Sequence, residues 1–221
     1  MNRVILSAST DETILAVTRQ HKLVDLEIEQ QINTEIVGCI YKGVVKNIVP
    51  AVDGIFVDIG IGKNAFLRRK DLLNEKRFPT EGSPILAQVI KSDTDMKGAL
   101  ITEKISMFGK YAVTLSGTGY IGVSKKIRQE SVRKRLKEIG KEICAEHMGL
   151  IIRTAAENAY MDEFRKDITR LKENWDIIQK RFRMEKSPTL LYRESDIIVK
   201  ALRDYVNKGK EIIITDNRKI Y

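Results

Sequence analysis

Two phenylalanines, Phe56 and Phe66, lie on the polar faces of strand-like segments. In segment 55–59 successive side chains point to opposite faces, so three aliphatic residues share one face and Phe56 shares the other with Asp58. Phe66 is flanked in the same way by core-type residues. Because rings on an outward sheet face can stack on nucleic-acid bases, the pattern predicts a stacking surface. The alternative is that one ring packs under the loop after Leu67.

Acidic side chains invite comparison with metal-dependent nucleases, but their spacing favours solvated positions. Acids that are close together in a turn usually solvate it, and acids that alternate with apolar residues in a strand usually face water. The residues concerned are Asp11 and Glu12 in the first predicted turn, Asp25 and Glu27 in the third predicted strand, and Asp93 and Asp95 between two later strands. We therefore assign them no catalytic or metal-binding role.

The cysteines and histidines do not form a recognisable motif. Cys39 and Cys144 are far apart and have no metal-ligand spacing, which predicts reduced thiols in a cytosolic protein. His21 in a polar turn and His147 near a helix end are isolated, and the sequence contains no HExxH or P-loop pattern. We predict no catalytic and no metal-binding residues in this chain.

The charge balance favours an anionic partner. Among 221 residues, 39 Lys and Arg stand against 30 Asp and Glu, which gives a net charge of +9. Hydrophobic residues make up 43% of the chain, enough for one large core or two modest ones. No apolar run approaches the roughly 18 residues of a membrane span. We expect a soluble cytoplasmic protein with no membrane partner.

Strand patterns dominate the first hundred residues. Segments 3–8, 12–18 and 23–28 predict an antiparallel meander joined by polar turns. Five further short segments predict a small closed OB barrel with an exposed aromatic face. These five segments are 39–49, 55–60, 63–67, 85–91 and 97–102.

The barrel segment resembles the OB-fold RNA-binding domain of the ribosomal protein S-one type, in the version found in the ribonuclease E/G family. The resemblance rests on Tyr-Lys-Gly at 41–43, Pro50, Phe-Val-Asp-Ile-Gly at 56–60 and Phe-Leu at 66–67. It implies that Phe56, Phe66 and Lys97 contact single-stranded RNA. It also places Tyr41 and Lys42 among the candidate RNA-binding residues.

The resemblance continues through ISMFGKYAVTL, GVSKKI and GLIIRTA, which are similar to the family's sensor for a 5′ monophosphate. It implies that backbone amides of Gly109 and Val113 hold the phosphate beside Arg153 and Thr154. Arg supplies a planar fork and Thr a hydroxyl donor for phosphate oxygens. The alternative is that Arg153 only pairs with a nearby acid such as Glu157.

Two positions depart from the family pattern. Lys125 stands where relatives usually carry Arg, so it can meet a phosphate only as a point charge. Ala156 stands where relatives often have Gly, which stiffens the loop. These changes affect the expected strength of phosphate sensing rather than its location.

Two helices are predicted in the same region. In the first, Val132, Leu136, Ile139 and Ile143 face inward, and the basic residues on its other faces are candidates for RNA phosphates or a solvated face. Those basic residues are Arg133, Lys134, Arg135, Lys137 and Lys141. A longer helix over 158–183 carries an apolar seam, in which we interpret Trp175 as a core residue.

The last segments predict a strand at 189–192, a helix from Ser195 to Tyr205 or Val206 with Ile198 and Leu202 inward, and a strand at 211–215 buried on both faces. The turn at Lys208 and Gly209 separates the last two. In the family, this helix and strand complete an RNase H-like fold together with the N-terminal meander. We therefore expect this chain to be the N-terminal portion of a longer protein.

The resulting prediction is an α+β chain, in which a five-stranded OB barrel is inserted in a split RNase H-like α/β domain, next to a 5′-sensor α/β region. The expected boundaries are 1–36 and 199–221 for the split domain, 37–104 for the barrel and 105–198 for the sensor. Single-stranded RNA with a 5′ monophosphate is the implied partner. We expect a monomer or weak self-association.

The resemblance implies that the full-length protein is a metal-dependent endoribonuclease in RNA processing and decay. Its family uses two Asp residues that hold magnesium and a cysteine pair that shares structural zinc, all expected beyond this chain. The chain alone is then inactive and needs no cofactor. Two other functions remain open, a complete noncatalytic RNA-binding adaptor and a barrel that serves only protein contacts.

Overall fold

The computed structural model describes residues 2–9, 12–30, 36–94, 96–144, 148–194, 196–206 and 211–218. The chain forms two compact units, one made of residues 1–36 and 194–221 and the other of residues 37–193. The second segment of the discontinuous unit begins at Glu194, whereas the sequence predicts residue 199. Six residues named above lie outside the described part of the chain. They are Asp11, Asp95, His147, Ser195, Lys208 and Gly209.

The discontinuous unit contains one four-stranded sheet in the order β14-β1-β2-β3. Its strands are β1 (Asn2–Ala8), β2 (Glu12–Arg19), β3 (Lys22–Gln30) and β14 (Glu211–Thr215). β1, β2 and β3 form the predicted antiparallel meander, which is confirmed, and β14 is parallel to β1.

Helix α3 (Ile197–Tyr205) covers one face of this sheet. The core combines alternate residues of β1 and β2, which point to the same face, with Ile197 and Ala201 of the helix. The helix begins with Asp196 as its N-cap, whose carboxylate accepts the N–H of Val199 at 2.9 Å. The prediction that Leu202 faces inward is wrong, because the buried stripe follows the spacing of four from Ile197 to Ala201, leaving Leu202 42% exposed.

Strand β14 corrects a second prediction. Its three isoleucines, expected to be buried on both faces, are 37 to 44% exposed. The reason is its position, since β14 is the last strand in the order of this sheet and pairs only with β1 among the described residues. A run of β-branched residues indicates a strand but does not distinguish a central strand from an edge strand.

Strand β3 turns carboxylates rather than apolar side chains toward α3. Asp25 accepts a hydrogen bond from the Tyr205 hydroxyl, and Glu29 accepts the N–H of Ile197 at 3.1 Å. The apolar residues Leu23, Leu26 and Ile28 are each more than half exposed. Asp25 is therefore a structural acceptor, which corrects its predicted solvated role.

The second unit contains the predicted OB barrel, which is confirmed as a closed five-stranded barrel. Its strands are β4 (Ile40–Val49), β5 (Gly54–Asp58), β6 (Ala65–Arg68), β7 (Pro84–Lys91) and β8 (Leu100–Thr102). Pairing of β4 with β7 closes the barrel, and β13 (Thr189–Tyr192) adds to the other side of β4. Alternate residues of the strands fill the interior, among them Val45, Ile55 and Leu67.

A second sheet of this unit has the order β11-β12-β10-β9. Its strands are β9 (Ser106–Phe108), β10 (Ala112–Ser116), β11 (Ile121–Val123) and β12 (Met148–Ile152). Helices α1 (Glu130–Ile143) and α2 (Met161–Met184) pack against the sheet. Both predicted helices are confirmed, and their seams enter one core that includes Leu136, Phe164 and Ile168.

Among the described residues, no helix is both long enough and apolar enough to cross a membrane.

Replacing Tyr205 by Phe should lower the free energy of unfolding by about 1 to 2 kcal/mol at neutral pH, because Asp25 loses its donor. Burial first, and then the hydrogen bond to Asp25, raise the pKa of Tyr205 from 10.0 to about 12. A raised pKa means that the stabilisation is complete below about pH 10 and is lost as the pH rises toward about 12. Urea unfolding gives the difference in free energy of unfolding between parent and variant, which should be smaller near pH 11.5 than near neutral pH. Equal stabilities at neutral pH would contradict it.

Candidate nucleic-acid interface

The two predicted stacking residues form a ring pair on the outside of the barrel. Phe56 on β5 and Phe66 on β6 are directly opposite in the strand register, with ring centroids 5.4 Å apart and planes tilted by 51°. Gly54 makes room for the pair, because a Cβ there would lie 2.3 Å from the Phe66 ring. Both rings are half-buried, so neither is enclosed under the loop after Leu67. A base can reach the pair from solvent.

Polar and basic groups surround the ring pair. Asn47, which sequence reasoning missed, lies opposite Phe56 on β4 and is exposed. Lys46 is exposed and pairs with Asp58 at 3.4 Å, while Lys97 is exposed in the turn that precedes β8. The backbone of Lys97 is fixed by reciprocal hydrogen bonds with Thr94 of 2.8 and 3.2 Å. Its ammonium group therefore extends from a defined turn.

Tyr41 and Lys42 do not belong to this face, which corrects their predicted RNA-binding role. Tyr41 is 6% exposed, and burial raises its pKa. The Lys42 ammonium donates to the carbonyls of Phe182 and Glu185 at 2.7 and 2.6 Å and lies over the Phe182 ring. Carbonyls at the C-terminal end of a helix have no partner within the helix, so Lys42 satisfies them and fixes the end of α2.

The second candidate site lies at the ends of two parallel strands. Because β11 and β12 are parallel neighbours, their C-terminal ends meet at one edge of the sheet. Ser124 and Lys125 follow β11, and Arg153 and Thr154 follow β12. The Ser124 and Thr154 hydroxyl oxygens are 3.1 Å apart and hydrogen-bonded, and Lys125 is exposed beside them in the chain. Ser124 is a site residue that sequence reasoning missed.

The turn between β9 and β10 fixes Arg153. Its guanidinium Nη1 donates to the Gly109 carbonyl at 2.8 Å, and its N–H donates to the Tyr111 carbonyl at 2.8 Å. The N–H of Gly109 donates to the Ala112 carbonyl at 2.8 Å. Val113 lies in β10, paired with Phe108 on one side and Ile151 on the other. The structure thus joins Gly109 to Arg153 but engages the Gly109 amide within the turn.

Asp167 of α2 holds this turn from the other side. Its buried carboxylate accepts the N–H groups of Lys110 and Tyr111 at 3.2 and 2.8 Å. It packs so closely that a Cβ on Gly109 would lie 2.4 Å from Oδ2. The Tyr111 hydroxyl donates to Glu163 at 2.8 Å, and burial together with this bond raises the pKa of Tyr111 to about 12. Sequence reasoning missed Asp167, whose only signal is an acid beside an apolar seam.

Helix α1 holds the opposite loop through Arg133. Its Nη1 donates to the carbonyls of Ser124 and Ile127 at 2.7 and 3.0 Å. This residue is therefore structural, which corrects its place among the candidate phosphate contacts on the helix surface. The other four basic residues of that set are exposed, namely Lys134, Arg135, Lys137 and Lys141.

The arrangement is suited to binding an anion. It combines one guanidinium, one exposed ammonium and two hydroxyls at a single sheet edge. Within the described part of the chain, no group of three or more His, Cys, Asp or Glu side chains could hold a metal ion. These residues therefore do not fit the magnesium and zinc implied for the longer protein. His21 lies exposed in a turn with a positive φ of 64°.

Comparisons with known proteins match two regions of the chain. Residues 34–102 match the profile of the S1 RNA binding domain, and residues 106–221 match that of the ribonuclease E/G family. Ribonuclease G of Escherichia coli K12 is 32% identical over 99% of this chain and 48% of its own length. Ribonuclease G of Haemophilus influenzae is 32% identical over 97% of the chain and 47% of its own length.

Ribonuclease E of Buchnera aphidicola subsp. Schizaphis graminum is also 32% identical over the whole chain, which covers 24% of that protein. The chain thus spans about half or less of these relatives. The family profile covers just over half of the chain, and the S1 profile covers the barrel that carries the ring pair. The chain belongs to the ribonuclease E/G family and contains an S1 RNA binding domain.

Proposed function

We propose that this chain is the RNA-recognition portion of an endoribonuclease that acts in RNA processing and decay. Single-stranded RNA crosses the barrel at Phe56 and Phe66, and its 5′ monophosphate binds at Arg153 and Thr154. The observation that carries the proposal is the convergence of Arg153, Thr154, Ser124 and Lys125 at one sheet edge.

The barrel supplies affinity without strong base selection. Stacking on a ring accepts any base, because every base has a π face. The exposed lysines Lys46 and Lys97 add attraction to phosphates, which is long-ranged and depends on salt. This combination suits a single strand rather than a duplex, since paired bases are not available for stacking on side chains.

The sensor site supplies end recognition. The Gly109 carbonyl orients the Arg153 guanidinium, and a guanidinium is a planar group with several N–H donors, which suits phosphate oxygens. Thr154 and Ser124 hydroxyls can rotate toward the same anion, and Lys125 adds a point charge. A 5′ monophosphate is the group in RNA that presents two unesterified charges at a chain end. Anchoring it would set the direction of the RNA on the barrel.

Hydrolysis is assigned to the whole protein, on the basis of the names of its relatives, Ribonuclease G and Ribonuclease E. In that assignment, metal-activated water is the expected nucleophile. In this proposal the side chains described above contribute binding and orientation.

Replacing Phe56 or Phe66 by Ala should weaken binding of single-stranded RNA about 5-fold to 150-fold, because each lost stack is worth about 1 to 3 kcal/mol. Fluorescence anisotropy with a labelled decanucleotide measures the change. Val52→Ala is the control, because Val52 is an exposed apolar residue of the same barrel. Unchanged affinity in both ring variants would favour a barrel that makes only protein contacts.

Replacing Arg153 by Ala should remove the preference for 5′-phosphorylated over 5′-hydroxyl RNA, a loss of about tenfold to a hundredfold in that ratio. Binding of the 5′-hydroxyl oligonucleotide should stay close to that of the parent. Lys141→Ala, which removes one exposed positive charge, should leave the ratio unchanged. Equal affinity of the parent chain for both oligonucleotides would refute the sensor.

Replacing Asp167 by Asn should reduce the same ratio about three- to tenfold, because one backbone N–H of the turn loses a charged acceptor and Arg153 loses its fixed orientation. Affinity for 5′-hydroxyl RNA should not change. Paired oligonucleotide titrations at two salt concentrations separate this effect from a change in overall charge. A ratio equal to that of the parent would show that the turn does not control Arg153.

A further inference from the structure

A cleft of about 550 Å³ runs along α2 within the second unit and lies apart from the ring pair and the phosphate site. Trp175, Lys180 and Arg183 line it from the helix, and Leu73, Glu103 and Ile105 line it from the opposite wall. We call it the α2 cleft. Its volume is in the range of sites that hold one small organic ligand.

Trp175 is the aromatic surface of this cleft. Its neighbours on the helix seam, Phe164, Ile168, Leu171 and Ile178, are 0 to 3% exposed. Trp175 is only partly buried, and it lines the cleft together with the apolar side chains of Leu73 and Ile105. Trp175 therefore packs against the core, as predicted, and also lines the cleft. A flat ring that enters the cleft can stack on the indole.

Glu103 places an acceptor inside the cleft. One of its carboxylate oxygens accepts the N–H of Leu73 at 3.0 Å, and burial raises its pKa. Within the described part of the chain, the other oxygen has no hydrogen-bond partner. A desolvated carboxylate gains most from a ligand that brings an N–H donor, such as an exocyclic amino group of a base.

Lys180 and Arg183 bring two positive charges to the cleft, whose lining also includes the carboxylates of Glu103 and Asp176. Both basic residues are exposed, and neither has an ion-pair partner among the described residues. Two other basic residues nearby, Lys42 and Arg181, are engaged by backbone carbonyls at the end of α2 and in β13. Lys180 lies about 8 Å along the helix from Trp175, within reach of the phosphate of a base stacked there.

We infer that the α2 cleft binds one nucleotide of single-stranded RNA, with an amino-bearing base on Trp175 and beside Glu103 and with its phosphate at Lys180 and Arg183. The inference rests on the proposed RNA binding and adds a base-selective position to it. Cytosine is favoured over uracil, because its amino group can donate to the carboxylate whereas the uracil carbonyl oxygen cannot.

Trp175 is the single tryptophan of the chain, so its fluorescence reports the cleft directly. Titration of the parent chain with the 5′-hydroxyl trinucleotides of cytidine and of uridine should give saturable quenching. The cytidine trinucleotide should bind about tenfold more tightly. Glu103→Gln should bring the two affinities close together, because an amide can both donate and accept.

The combined Lys180→Ala and Arg183→Ala substitutions should weaken the cytidine trinucleotide about tenfold. The matched control is the pair Arg19→Ala and Lys22→Ala, which removes the same charge from either side of the exposed turn between β2 and β3 and should leave the quenching curve unchanged. All four positions are exposed, so each variant should keep its fold, which circular dichroism verifies.

Absence of saturable quenching, or equal weakening by the control pair, would overturn the inference. Tighter binding of free cytidine monophosphate than of the trinucleotide would replace RNA by a free nucleotide as the occupant. The Phe56→Ala and Phe66→Ala variant should keep the Trp175 signal. If that variant loses RNA affinity and the parent shows no change in Trp175 fluorescence, the proposed function holds and the cleft is not part of the RNA-binding surface.

Discussion

The candidate phosphate site depends on one buried carboxylate, that of Asp167 on α2. Asp167 accepts two consecutive backbone N–H groups of the turn between β9 and β10, at 3.2 and 2.8 Å. Such a carboxylate satisfies donors that would otherwise be buried without partners, and it defines the path of the turn. The turn then presents the Gly109 carbonyl to Arg153. The orientation of the Arg153 guanidinium is therefore set in part by the packing of α2, which lies outside the strand that Arg153 follows.

The basic residues of this chain serve two different purposes. Lys42 donates to backbone carbonyls at the end of α2, Arg133 to carbonyls of the loop after β11, and Arg181 to carbonyls of β13. Lys97 and Lys125 extend from defined turns into solvent. The net charge of +9 thus overstates the charge that RNA can meet directly. It still raises the potential that attracts a polyanion, because that potential sums over all charges.

Prediction from the sequence succeeded where a short periodic pattern determines which way a side chain points. Phe56 and Phe66 follow from alternation within β5 and β6, and the seam of α2 follows from helical spacing. It failed where exposure depends on distant segments. Tyr41 and Lys42 belong to a motif of an RNA-binding barrel, yet Tyr41 is buried and the Lys42 ammonium is bonded to the end of α2. The isoleucines of β14 are half-exposed because their strand is at a sheet edge.

The sequence by itself determined the strand and helix segments, the barrel and the outward rings. The tertiary structure alone decided which of these residues meet and which stay accessible. The hydroxyls of Ser124 and Thr154 are 30 positions apart in the chain, and Asp167 is 57 positions from the amide of Lys110 that it binds. Periodicity within one element carries no information on such pairs, because contacts at this separation arise only when sheets and helices pack on one core.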